Sequence, residues 1–197
     1  MSALVTAFEQ LIPPNFVLVR QGGYWIVEEP GAGNNRFEIA GGKSHAFTLD
    51  QDGPSIFPFF SDALKSMKSV NDAIVVAVVE GDTYVVAVEM KTSPSQKGDA
   101  LKQIESGRLF AAWARQLLSF YGHWTGGACK FVGVVSLKPR KQIRKGSTTR
   151  SAELPVPVQS PHGGGYPCFV LENHPRVSIT DLVKKIMAVH GHCQAVV

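Results

Sequence analysis

Two nearly all-apolar segments, separated by only four residues, constrain this chain most. Residues 73–79 read Ala-Ile-Val-Val-Ala-Val-Val, and residues 84–90 read Tyr-Val-Val-Ala-Val-Glu-Met. β-Branched residues favour extended backbone. Neither segment alternates apolar with polar, so both faces of each strand must be covered, and helices are the expected cover. Glu80-Gly81-Asp82-Thr83 joins them, and its Gly-Asp pair marks a tight hairpin turn. The centre of the fold is therefore expected to be an antiparallel pair inside a larger sheet.

The charged residues at the ends of this hairpin define the candidate site. Residues 84–88 lead straight into Glu89-Met90-Lys91. Alternate strand residues share a face, so Glu89 and Lys91 point the same way. Asp72 opens the preceding strand, and the two ends of an antiparallel hairpin lie side by side. An unpartnered charge at the mouth of an apolar strand is costly. Two carboxylates supply hard oxygen ligands for magnesium or manganese, and a metal so held acidifies water and neutralises a scissile phosphate. A neighbouring lysine suits the same chemistry.

The surrounding pattern extends the sheet on both sides. Residues 1–12 are a short helix candidate ended by Pro13-Pro14. Residues 16–19 and 24–27 are expected strands about Gln21-Gly22-Gly23, followed by strands at 36–39 and 46–49. Residues 55–69 carry Ile56, Phe59, Phe60, Ala63, Leu64 and Met67 at helical spacing. Residues 98–121 are the longest expected helix, with Leu101, Ile104, Leu109, Ala112, Trp113, Leu117 and Phe120 on its buried side. A strand at 131–137, an irregular stretch at 152–165, an edge strand at 167–171 and a helix at 178–189 capped by Ser178 complete the chain. At 197 residues the expectation is a single domain, with a core at about 55–137 and β-rich N-terminal and C-terminal decorations.

Asp72, sixteen residues, then Glu89-Met90-Lys91 and a helix bearing Lys102 and Gln103 resemble the PD-(D/E)xK nuclease superfamily. The resemblance covers about residues 55–137. It implies an α/β fold with a restriction-endonuclease-like core, a mixed central β-sheet flanked by helices. It further implies a magnesium- or manganese-dependent nuclease, with Asp72 and Glu89 as metal ligands and Lys91 as the catalytic lysine. Gln103, or Lys102, would take the supporting polar position. Asn71 stands where many members have proline. An additional upstream acid would be Glu9 or Asp62, and the sequence does not choose between them. The alternative is a catalytically lapsed member that binds nucleic acid or protein on the same fold.

Charge points the same way. The net charge is +4 and the pI about 9.0, a mild tilt towards anionic partners. Lys138, Arg140, Lys141, Arg144, Lys145 and Arg150 supply six of the twenty basic residues within thirteen positions. That loop, with Lys97 and Lys102, is the expected nucleic-acid contact, DNA before RNA. Ser93 and Lys97 follow Lys91 closely and would form the rim of the site. A homodimer is the expected assembly, because cutting both strands of a duplex calls for two sites.

Other patterns carry less. Gly41-Gly42-Lys43-Ser44 has Phe37 where a phosphate-binding loop needs glycine. His162-Gly163-Gly164-Gly165 has no accompanying Gly-x-Ser-x-Gly elbow. His190-Gly191-His192-Cys193 reads as a tail, and His123-Trp124 as a core edge or part of a groove. Cys129, Cys168 and Cys193 are far apart and odd in number, which suits reduced thiols and a cytoplasmic setting. No stretch is long and apolar enough for a membrane span, and the N-terminus lacks the features of a signal peptide.

Overall fold

A computed structural model describes residues 3–28, 35–50, 69–137, 153–162 and 165–190. The elements run α1 (Ala3–Leu11), β1 (Arg20–Gln21), β2 (Tyr24–Glu28), β3 (Arg36–Ala40), β4 (Lys43–Phe47), β5 (Ala73–Val79) and β6 (Asp82–Lys91). They continue with α2 (Lys97–Phe120), β7 (Cys129–Leu137), β8 (Val158–Gln159), β9 (Pro167–Glu172), β10 (Arg176–Ser178) and α3 (Ile179–His190). The expected helix at 55–69 and the basic loop after Leu137 lie outside the described residues, apart from Ser69.

The chain is α/β, with two mixed sheets. The larger has the order β4-β5-β6-β7-β9-β8, and the smaller β1-β2-β3-β10. In the larger sheet β4, β5 and β6 are antiparallel neighbours, whereas β6, β7 and β9 run parallel. The long helix α2 connects β6 to β7, the crossover that a parallel pair requires.

Side-chain parity divides the core into two layers. Ile74, Val76, Val85, Ala87, Phe131 and Val135 face α1 and α2, where Leu4, Phe8, Leu101, Ile104 and Ala111 meet them. Val75, Ala77, Val86, Val88, Val132, Val134 and Phe169 face the other way. They pack on Trp25, Val27, Phe37 and Ile39 of the smaller sheet and on Leu182, Val183 and Ile186 of α3. Helices therefore cover only one face alone; the other is covered largely by a sheet, which the apolar runs by themselves did not distinguish.

Several expectations shift. The segment expected as a strand at 16–19 instead makes a 3-10 turn at Pro14–Phe16 and one isolated bridge from Val17 to Phe47. Pro13-Pro14 fixes the backbone there and removes amide donors. The strand expected at 46–49 begins earlier, at Lys43. β9 is not an edge strand: it lies between β7 and β8, and its alternating side chains are buried on both faces.

The largest correction concerns α2. Ala100, Leu101, Ile104, Gly107, Phe110, Ala111, Ala114 and Leu118 are its buried residues. Leu109, Trp113, Leu117 and Phe120, expected inside, are exposed. The helix fits the sheet closely through alanine and glycine, so its small residues go inward and much of its bulky apolar stripe is left outside.

Candidate metal and active site

The β5–β6 turn fixes the geometry of the site. Val79 pairs with Asp82, leaving Glu80 and Gly81 as a two-residue loop. Their φ angles are +53° and +92°, both in the left-handed region that such a turn needs. The register then runs back without a bulge to Ala73 opposite Val88. The next position outward sets Asp72 against Glu89. On β6, Glu89 and Lys91 share the parity of Val85 and Ala87, so they face the α2 side of the sheet.

The three side chains converge. The Asp72 amide donates to Glu89 Oε2 at 3.2 Å, and the Met90 amide donates to Asp72 Oδ2 at 2.5 Å. Each carboxylate thus accepts a backbone N–H from the opposite strand. Lys91 Nζ pairs directly with Glu89 Oε1. Glu89 is buried, with 1% of its surface exposed, and Lys91 is largely covered.

The electrostatics are unbalanced. Burial pushes the Glu89 carboxyl up from 4.5 to about 8, and the neighbouring Asp72 carboxylate adds to the rise; the Lys91 ammonium only partly offsets it. Two carboxylates side by side in a buried setting favour a proton on one of them. A divalent cation would satisfy both oxygens in place of that proton, so the donor set fits magnesium or manganese. Among the described residues the acids form a pair, not a cluster of three or more metal-ligating side chains.

Asn71 is a residue whose importance the sequence reading missed. It is wholly buried; its Nδ2 donates to Ala73 O and also to Val88 O at 3.4 Å, tying β5 to β6 one residue inside the acids. Its Oδ1 is packed towards α2, where a Cβ at position 107 would lie 2.2 Å away. That contact accounts for Gly107. Glycine inside a helix is unfavourable by about 1 kcal/mol relative to alanine, so its presence at 107 was the available signal of a close approach.

Gln103, one turn earlier on α2, donates from Nε2 to Val70 O at 3.1 Å. It holds the backbone leading into β5, and its hydrogen bond is not to the carboxylates. Lys102 is exposed and faces Asp99 at 3.6 Å. Lys97 begins α2 and is exposed, while the Ser93 hydroxyl caps the preceding 3-10 turn. Arg140, Lys141, Arg144 and Lys145 lie outside the described residues, as does Asp62. Glu9 acts electrostatically on His45, which pairs with Val76 further along β5. Burial lowers the His45 pKa, and Glu9 partly opposes this.

Leu137, the last described residue of β7, pairs with Lys91. The chain therefore enters its basic segment, beginning at Lys138, from a position beside the site. No helix among the described residues is long and apolar enough to cross a membrane. Against this geometry, comparisons with family models, curated proteins and solved structures found no match for the chain.

Proposed function

We propose that this chain is a metal-dependent nuclease with a restriction-endonuclease-like core, hydrolysing phosphodiester bonds of DNA before RNA. The observation that carries the reading is the convergence of Asp72, Glu89 and Lys91 at the start of β5 and the end of β6, with two backbone hydrogen bonds locking the acids together. The helix crossover from β6 to a parallel β7 supports the finer fold assignment.

In this reading Asp72 and Glu89 hold a magnesium or manganese ion. When bound, the ion supplies charge neutralisation at the phosphate and a more acidic water. The chain's own residues do the positioning. The Asp72 and Met90 amides orient the two carboxylates, and Asn71 fixes the strands that carry them. Lys91 places a positive charge on the same face as Glu89, where negative charge grows as a phosphodiester is attacked. The basic segment after Leu137 would then meet the nucleic-acid backbone.

The direct Lys91–Glu89 contact also suits a lapsed site in which the pair is only structural. Magnesium-dependent cleavage of plasmid DNA and of RNA, by wild type and Lys91→Ala, separates the two. The proposal expects Lys91→Ala to remain folded by thermal melting and to lose at least roughly 100-fold in rate. Equal rates in the two proteins would reject the catalytic role of Lys91.

A further inference from the structure

The second half of α2 presents an exposed apolar face among the described residues. Phe120 is 80% exposed, Tyr121 67%, Leu109 56% and Trp113 50%. Leu109, Trp113, Leu117 and Phe120 follow helical spacing and form one stripe. Beside it lies a groove of about 490 Å³ between the end of α1 and α2, with Leu11, Ile12, Phe16, Trp113, Leu117 and Tyr121 among its lining residues. From Leu109 to Ala128 the only charged residue is Arg115, which is half-buried and stacked over Trp124 at 5.6 Å.

We propose that this face is the contact surface for a second copy of the same chain, related by a twofold axis. Three observations favour that occupant. The protein carries a net charge of +4, so two copies approach each other with least repulsion through a neutral surface. The surface also offers both halves of a self-complementary fit: Phe120, 80% exposed beside the groove, and an apolar groove to receive it. A twofold contact uses the same patch on both partners and needs such a match. Finally, Leu11, Leu109, Trp113, Leu117, Phe120 and Tyr121 expose roughly 600 Å² of side chain. That is at the upper end for a lone monomer and approaches the ~800 Å² per partner of a stable interface. A membrane surface is a poor alternative occupant, because an interfacial helix needs basic residues beside its apolar face, and this stretch has none but Arg115.

Sedimentation of the full chain between roughly 1 and 100 µM tests the assignment. Wild type should form a dimer that persists in about 1 M salt, since no charge pairs hold it. Phe120→Glu and Leu109→Glu change exposed positions and should keep the wild-type circular dichroism spectrum and a cooperative melt, lowered only by the lost stabilisation from dimerisation. Each should raise the dimer dissociation constant roughly thirtyfold or more, as expected for a central apolar contact. A wild type that stays monomeric throughout would overturn the proposal, leaving the face to another part of the chain or to a different protein. A dimer that salt dissociates, or one that both variants leave unchanged, would overturn it equally.

Discussion

Replacing Glu89 with glutamine should stabilise the metal-free protein at alkaline pH. Glutamine keeps the shape of the side chain and cannot ionise. In wild type the Glu89 carboxyl is raised from 4.5 to about 8 by burial and by Asp72. Between those values the folded state holds a proton that the unfolded state has released. Stability therefore falls as pH rises through this window, and the loss is complete above about pH 8. At roughly 1.4 kcal/mol per pH unit, the whole excursion is worth at most about 5 kcal/mol, and rearrangement of Lys91 and Asp72 reduces it to a few. For a chain of this size each kcal/mol moves the melting temperature by roughly 2 to 4 °C. Melting curves in chelator should show Glu89→Gln and wild type nearly level at about pH 5. The variant should then pull ahead by roughly 5 °C or more by about pH 9. A gap that does not change with pH, or a variant that melts lower at alkaline pH, would refute the reasoning.

Other outcomes follow from the same contacts. Gly107→Ala should destabilise the protein by roughly 1 to 3 kcal/mol, because its Cβ would meet Asn71 Oδ1 at 2.2 Å. In an Asn71→Ala background the same change should become neutral or stabilising by up to about 1 kcal/mol, reflecting helix propensity alone; denaturant titration of the double-mutant cycle checks the reversal of sign. Glu80→Gly should stabilise by about 1 kcal/mol in the same assay, since Glu80 sits at a φ of +53°. Burial pushes the Cys129 and Cys168 thiols up to about 12. Mass spectrometry after brief alkylation at neutral pH should find both unmodified in the native protein and modified once it is unfolded.

The hairpin and its acids were legible because local chemistry determines them. The run from Ala73 to Val79 admits little but a buried strand, and a two-residue turn sets the register that brings Asp72 to Glu89. The faces of α2 were less legible. Leu109, Trp113, Leu117 and Phe120 repeat as regularly as a buried stripe, yet the helix turns Ala100, Gly107, Ala111 and Ala114 to the sheet. Periodicity identifies a stripe without saying what covers it. The pairing of β10 with β3 depends on contacts between residues far apart in sequence, and short apolar runs do not specify their partners. Asn71 was noticed only as a departure from proline; its buried hydrogen bonds became visible when Val88 and Gly107 were brought beside it.

Calorimetric titration of manganese into the metal-free protein tests most directly whether Asp72 and Glu89 share a cation. Wild type should take up the ion with proton release, measured from the buffer dependence of the heat near pH 7, because the metal displaces the proton held on Glu89. Asp72→Asn and Glu89→Gln should each weaken binding by at least roughly tenfold, and Glu89→Gln should abolish the proton release. Absence of binding to wild type, or undiminished wild-type affinity in both variants, would contradict a metal site built on this pair.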